Sequence, residues 1–170
     1  MEENKVGLAP RVMAQGATGP KEYGLLVTDR RTIFVLELKS NAAIGGILGG
    51  AIGAVIASAT DTRTSINYEL ADPGLLATMK GSVAIPHESL EHMRFKPGFG
   101  ANKLQVKYRT SEGKTKKMEV MLTPPIDYVK ERKAQGKKGK EAMADYMNDV
   151  QNLFRKALPL SASMKVEWSR

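Results

Sequence analysis

Tyr23-Gly24-Leu25-Leu26-Val27-Thr28-Asp29-Arg30-Arg31-Thr32-Ile33-Phe34-Val35 is the stretch whose reading decides the fold. Two runs of aliphatic, aromatic and β-branched residues, Tyr23–Thr28 and Thr32–Leu38, flank the short polar link Asp29-Arg30-Arg31. That composition and link length predict a β-hairpin. The same alternation predicts further strands downstream. Arg63–Ala71 sets Thr64, Ile66, Tyr68 and Leu70 on one face, and Asp72-Pro73-Gly74 ends it. Ser82–Pro86 and Glu91–Lys96 are short candidates. Lys103–Arg109, with Leu104, Val106 and Tyr108 inward, and Thr115–Leu122, with Met118, Val120 and Leu122 inward, form a second hairpin around Thr110–Lys114.

After Pro124-Pro125 the apolar period lengthens. Met143, Tyr146, Met147, Val150, Leu153, Phe154 and Ala157 recur at spacings of three and four, which places one apolar stripe on a helix over 140–158. A shorter helix or basic linker precedes it over 124–139. Residues 1–21 hold five Gly/Pro and little periodicity, so they read as a lead-in packed through Val6, Leu8 and Val12. The domain then spans 22–158, with 159–170 as a tail that adds an edge strand from Ser163 onward.

Seven strands followed by one amphipathic helix is the layout of the pleckstrin-homology-like (PH-like) fold. The Thr28-Asp29-Arg30-Arg31 turn with its apolar strand, and Val83-Ala84-Ile85-Pro86-His87-Glu88-Ser89-Leu90-Glu91, resemble motifs of bacterial and archaeal PH-like and GRAM-like domains. The resemblance implies a mainly β fold with α: a seven-stranded antiparallel sandwich or barrel capped by the C-terminal helix, serving as a binding scaffold. Phosphoinositide-binding members carry a Lys/Arg-rich first loop, and here that loop is only Asp29-Arg30-Arg31. Arg31 reads as a hairpin-packing residue.

Ala42–Ala59, between the second and third predicted strands, has eighteen residues without charge: five Gly, six Ala, six large aliphatics and one Ser. Gly45, Gly49 and Gly53 are spaced by four, so a helix over 41–60 carries a smooth stripe where another helix approaches closely. Its membrane or self-association residues are Ile44, Gly45, Ile47, Leu48, Gly49, Ile52, Gly53 and Ile56. The aliphatics supply only about −2 to −4 kcal/mol for insertion. A single crossing would also divide one sheet between two sides of a membrane. In water the five Gly cost a helix about 4–5 kcal/mol relative to Ala. Three readings stay open: a helix packed on its own domain or on a second copy, a shallow insertion into a membrane, and a true span in a different fold.

The chain of 170 residues carries a net charge of +8, and the excess lies in residues 101–170, with sixteen Lys/Arg against eight Asp/Glu. Its densest run holds Lys130, Arg132, Lys133, Lys137, Lys138 and Lys140, a candidate anionic-surface site. No helix-turn-helix, zinc finger or aromatic RNA platform accompanies it, which argues against nucleic acid. There is no Cys, which removes disulfides and thiol chemistry and suits a reducing compartment. The start, Met1-Glu2-Glu3-Asn4-Lys5, lacks secretory-signal character.

His87-Glu88-Ser89-Leu90-Glu91-His92 has its histidines five apart, outside the spacings of zinc helices, and reads as two partly exposed loop histidines. No nucleophile elbow or phosphate loop is present. The expectation is a cytoplasmic, non-enzymatic interaction module without metal or cofactor, peripheral on the inner face of a membrane and homo-oligomeric. The alternative is a soluble adaptor that holds a protein or peptide in a groove beside the 140–158 helix.

Overall fold

The computed structural model describes residues 3–16, 19–39, 66–98 and 100–169. The Gly/Ala segment, with Ile44 through Ile56, lies outside the described residues. Strands β1 (Lys5–Gly16), β2 (Gly19–Thr28), β3 (Arg31–Lys39), β4 (Val83–Pro86), β5 (Leu90–Lys96), β6 (Asn102–Arg109), β7 (Thr115–Leu122) and β8 (Val166–Glu167) join in one sheet. Their order is β4-β3-β2-β1-β7-β6-β5-β8. Every pairing is antiparallel except β5 with β8. Helices α1 (Pro73–Thr78), α2 (Ile126–Ala134), α3 (Gly139–Ala157) and α4 (Leu160–Ser163) complete the described elements.

The expected lead-in is therefore a strand, and it occupies the middle of the sheet. β1 pairs with β2 along its length and with β7 through Met13↔Met121 and Ala14↔Val120. Between Ala9 and Val12 its register shifts, so that Pro10 and Arg11 together face Gly24 of β2, and Arg11 takes φ 58°. This bulge puts Ala9, Val12 and Ala14 on one buried face, although a regular strand would send Ala9 and Val12 to opposite faces.

One core collects Leu25 and Val27 of β2, Phe34 of β3, Met93 and Phe95 of β5, Leu104 and Val106 of β6, Val120 and Leu122 of β7, and Tyr146, Val150 and Phe154 of α3. Strands from both ends of the order share it, so the sheet curls around α3. The helix buries Ala142, Tyr146, Met147, Val150, Gln151, Phe154 and Ala157. Met143 and Leu153 of the expected stripe sit at its margins, half-buried. Glu141 accepts the Lys138 backbone N–H at 2.6 Å, and Arg155 and Lys156 occupy the last turn.

A second, smaller core lies on the outer face of β2–β3, where Leu26, Ile33 and Val35 meet Leu76 of α1. It explains why the opening hairpin is apolar on both faces. Here the structure overturns the described part, 66–71, of the strand expected over 63–71. Among the described residues 66–71 the chain turns: Asn67 Oδ1 accepts from the backbone N–H of Glu69 at 3.1 Å, and Ala71 N–H reaches Asn67 O at 2.9 Å. Leu70, expected inward, is exposed. Asp72-Pro73-Gly74 starts α1 rather than only ending a strand: Asp72 Oδ1 caps Leu75 N–H at 2.9 Å, and Pro73 fits the first turn.

Tyr68 lies over Gly24, its hydroxyl donating to Glu37, and a Cβ built on Gly24 would stand 2.0 Å from the Tyr68 Oη. Gly24→Ala should therefore destabilise the fold by roughly 1–3 kcal/mol, read from urea unfolding. Combined with Tyr68→Ala, which removes the phenol and leaves only the flexible Glu37 carboxylate, 2.7 Å from that Cβ, the same change should cost less. An equal loss with both Tyr68→Ala and Glu37→Ala in place would show that Tyr68 does not sit there.

Candidate functional site

β6 alternates cleanly, as do Met93–Lys96 of β5 past its bulge and Met118–Leu122 of β7, so burial of Met93, Phe95, Leu104, Val106, Val120 and Leu122 turns the intervening residues outward. That outer face carries Arg94, Lys96, Lys103, Lys107, Arg109 and Lys117 against the acids Glu91, Glu119 and Glu167. Two cross-strand partners are like-charged: Lys96 faces Lys103, and Lys107 faces Lys117. Such pairs cost stability in a two-stranded register.

The acids relieve only part of this. Glu119 meets Lys103 at 2.8 Å, and Glu91 meets Lys107 and Arg109 at 3.2 Å each. Lys103 and Lys107 hold the Glu119 and Glu91 carboxyls below the usual carboxylate range. Lys96 and Lys117 have no ion pair among the described residues. Two shallow hollows of about 470 and 800 Å³ meet at Lys107.

Of the basic run singled out from sequence, Arg132 and Lys137 are occupied with carboxylates of α3. Arg132 lies 5.0 Å from the Tyr128 ring centroid and pairs with Asp145 at 3.7 Å and Asp149 at 3.5 Å. Lys137 pairs with Asp145, lowering that carboxyl, and Tyr128 donates to Asp149 at 2.6 Å. Burial, reinforced by Asp149, pushes the Tyr128 phenol up to about 12. Lys130 approaches Asp127 at 3.6 Å. Lys133, Lys138 and Lys140 stay exposed. The β6 face is inconspicuous in the sequence because its bases, Lys103, Lys107 and Arg109, are interleaved with core residues. Its signal is the polar half of the alternation whose apolar half forms the core.

A groove of about 450 Å³ runs beside the first half of α3, lined by Pro97, Gly98, Asn102, Met143, Met147 and Ser169 among others. It lies beside the helix where the sequence placed a peptide groove.

The two histidines occupy unrelated places. His92 stands on β5, its Nε2 2.6 Å from Glu167. His87 is buried, contrary to the expectation of an exposed loop residue, because its backbone N–H pairs with Arg30 O at 2.9 Å and draws the short 3-10 turn His87–Ser89 under the β2–β3 turn. That turn is closed by Thr28, whose hydroxyl oxygen accepts from Arg31 N–H at 2.9 Å, while Arg31 pairs with Glu3. Arg31 is thus a hairpin-packing residue that also anchors the start of β1. Among the described residues no cluster of His, Asp and Glu could hold a metal. No protein-family model and no curated protein sequence matches this chain.

Burial lowers the His87 imidazole to about 4 from its ordinary 6.5. The unfolded chain therefore binds this proton more readily than the fold. The stability contributed by neutral His87 should be full above pH 6.5 and decline as pH falls toward about 4. The loss is on the order of 3 kcal/mol. Urea midpoints across that window test it: in His87→Leu the slope should flatten, and an unchanged slope would remove His87 as its source.

Proposed function

We propose that this chain is a non-enzymatic interaction module on a PH-like fold, working in the cytoplasm and attaching peripherally to anionic membrane surfaces. What supports the PH-like reading is the meander in which β1 meets both β2 and β7, together with the core that both ends of the sheet share with α3. The observation that carries the function is the outer face of β5–β6–β7. Its like-charged pairs, Lys96 with Lys103 and Lys107 with Lys117, are unfavourable for folding and favourable for a surface that receives phosphates.

Six bases less three acids amount to about 3 kcal/mol at an anionic leaflet. Stable attachment takes a second signal, and the apolar segment 42–59 supplies it by shallow insertion or by pairing with a second copy. Among the described residues no helix is long and apolar enough to cross a membrane. A second reading, an adaptor for a protein or peptide, is favoured by the groove beside α3.

Flotation with phosphatidylserine-containing and purely phosphatidylcholine vesicles, at low and high salt, tests the membrane reading. Comigration should need the anionic lipid and weaken at high salt. Lys96→Glu with Lys117→Glu places acids opposite Lys103 and Lys107, so the fold should hold while vesicle binding falls at least tenfold. Failure to comigrate with anionic vesicles at low salt, or indifference to this double change, would sink the reading.

A further inference from the structure

The far edge of the sheet is closed by the chain's own tail. β5 is seven residues long, yet β8 covers it through only two register pairs, Met93↔Val166 and Arg94↔Glu167. Among the described residues they form the one parallel ladder, the other pairings being antiparallel. Met93 N–H adds a bond to Lys165 O at 3.0 Å.

Each tail residue is nevertheless received by a distinct group. Lys165 Nζ donates to Leu90 O at 2.6 Å, and Val166 packs on the main core. Glu167 lies 2.6 Å from His92 Nε2 and 2.9 Å from Arg94 Nε. Trp168 stacks on Phe95 at 5.7 Å with its plane tilted by 10°, and Arg155 covers it at 4.6 Å. Ser169 N–H reaches Oε1 of the buried Gln151 at 2.8 Å. These receiving groups come from β5 and α3, outside the tail.

The connection to α3 is held at one point. Pro159 and the single turn α4 lead into the tail, and there Ala162 is buried in the main core while Leu160 and Met164 are 78% and 80% exposed. Ser169 also lines the mouth of the groove of about 450 Å³, so a segment following the tail's path continues past Pro97, Met143 and Met147.

We propose that the β5 edge, with Gln151 and Arg155 of α3, is a receptor for an extended partner-protein segment of aliphatic–acidic–aromatic pattern, and that the tail Lys165–Ser169 occupies it in the resting molecule. The inference rests on the adaptor reading and adds its ligand class and its internal competitor. Arg94, with the His92 imidazole beside it, selects the acidic residue. The slot between Phe95 and Arg155 selects the aromatic, and main-chain pairing with β5 holds the strand. A tethered tail competes at roughly millimolar effective concentration, so partners bind weakly until it leaves.

The probe is a fluorescein-labelled peptide copying residues 164–169, followed by anisotropy. The full chain carrying Trp168→Ala should bind it at least tenfold more tightly than the unaltered chain. A peptide with Glu167→Lys should lose that binding. Equal binding to both chains would leave an adaptor groove standing but remove the tail as its competitor; no binding to a folded Trp168→Ala chain would remove the receptor. Should that variant fail to fold, the unaltered chain serves, because Trp168 is its only tryptophan. Unlabelled peptide with Trp168→Phe should red-shift its emission, and a fixed emission at saturating peptide overturns the proposal. A concentration-dependent dimer of the unaltered chain that Trp168→Ala dissolves would replace the partner segment with the tail of a second copy.

Discussion

Pairing of β1 with two neighbours is the constraint on which the rest of the molecule depends. Its ladder with β2 runs from Lys5 to Gly16, and its contact with β7 is confined to Met13 and Ala14. Without that short contact the β4–β3–β2 and β7–β6–β5 groups would be separate sheets, each with an apolar face open to water. The bulge at Pro10-Arg11 makes the double pairing compatible with one core, since it returns Val12 and Ala14 to the face already used by Ala9. α3 then fills the space enclosed, and Gly7 leaves room for the approach of Leu153 from that helix.

Most of the regular elements are legible in the sequence because their burial follows one period. β2, β3 and β4 to β7 alternate or run continuously apolar, and α3 keeps spacings of three and four along its buried face. β1 is not legible for a definite reason: a bulge breaks the alternation, leaving Ala9, Val12 and Ala14 without a period of two. The false strand at 66–71 has the opposite cause. Its alternation is real, but the Asn67 side chain offers the backbone a turn, and α1 begins five residues after Tyr68 with an Asp cap and an N-terminal proline. His87 is buried by a backbone bond to Arg30 O, which no local pattern announces.

The candidate surfaces divide in the same way. A run such as Lys130–Lys140 is conspicuous because its charges are contiguous, yet contiguity says nothing about Asp145 and Asp149 waiting on the next helix. Charges on β6 and β7 look diluted in the chain and become concentrated only when neighbouring strands are set side by side. Of the tail site only the edge strand is legible, and it is β8; Trp168 meets Phe95 and Arg155 only after three separate elements converge.

The β1–β7 contact also bears on how the chain is made. Met13 leaves the ribosome long before Met121, its partner across the sheet, an interval of roughly 5–20 s at ordinary rates of synthesis. Once Lys39 is made, the nascent β1–β2–β3 meander spends most of that time with the β7-facing edge of β1 unpaired and without α3 to cover its apolar face. Such an intermediate is prone to edge-to-edge association between neighbouring nascent chains. It would place the greatest demand on chaperones in the interval before β7 emerges.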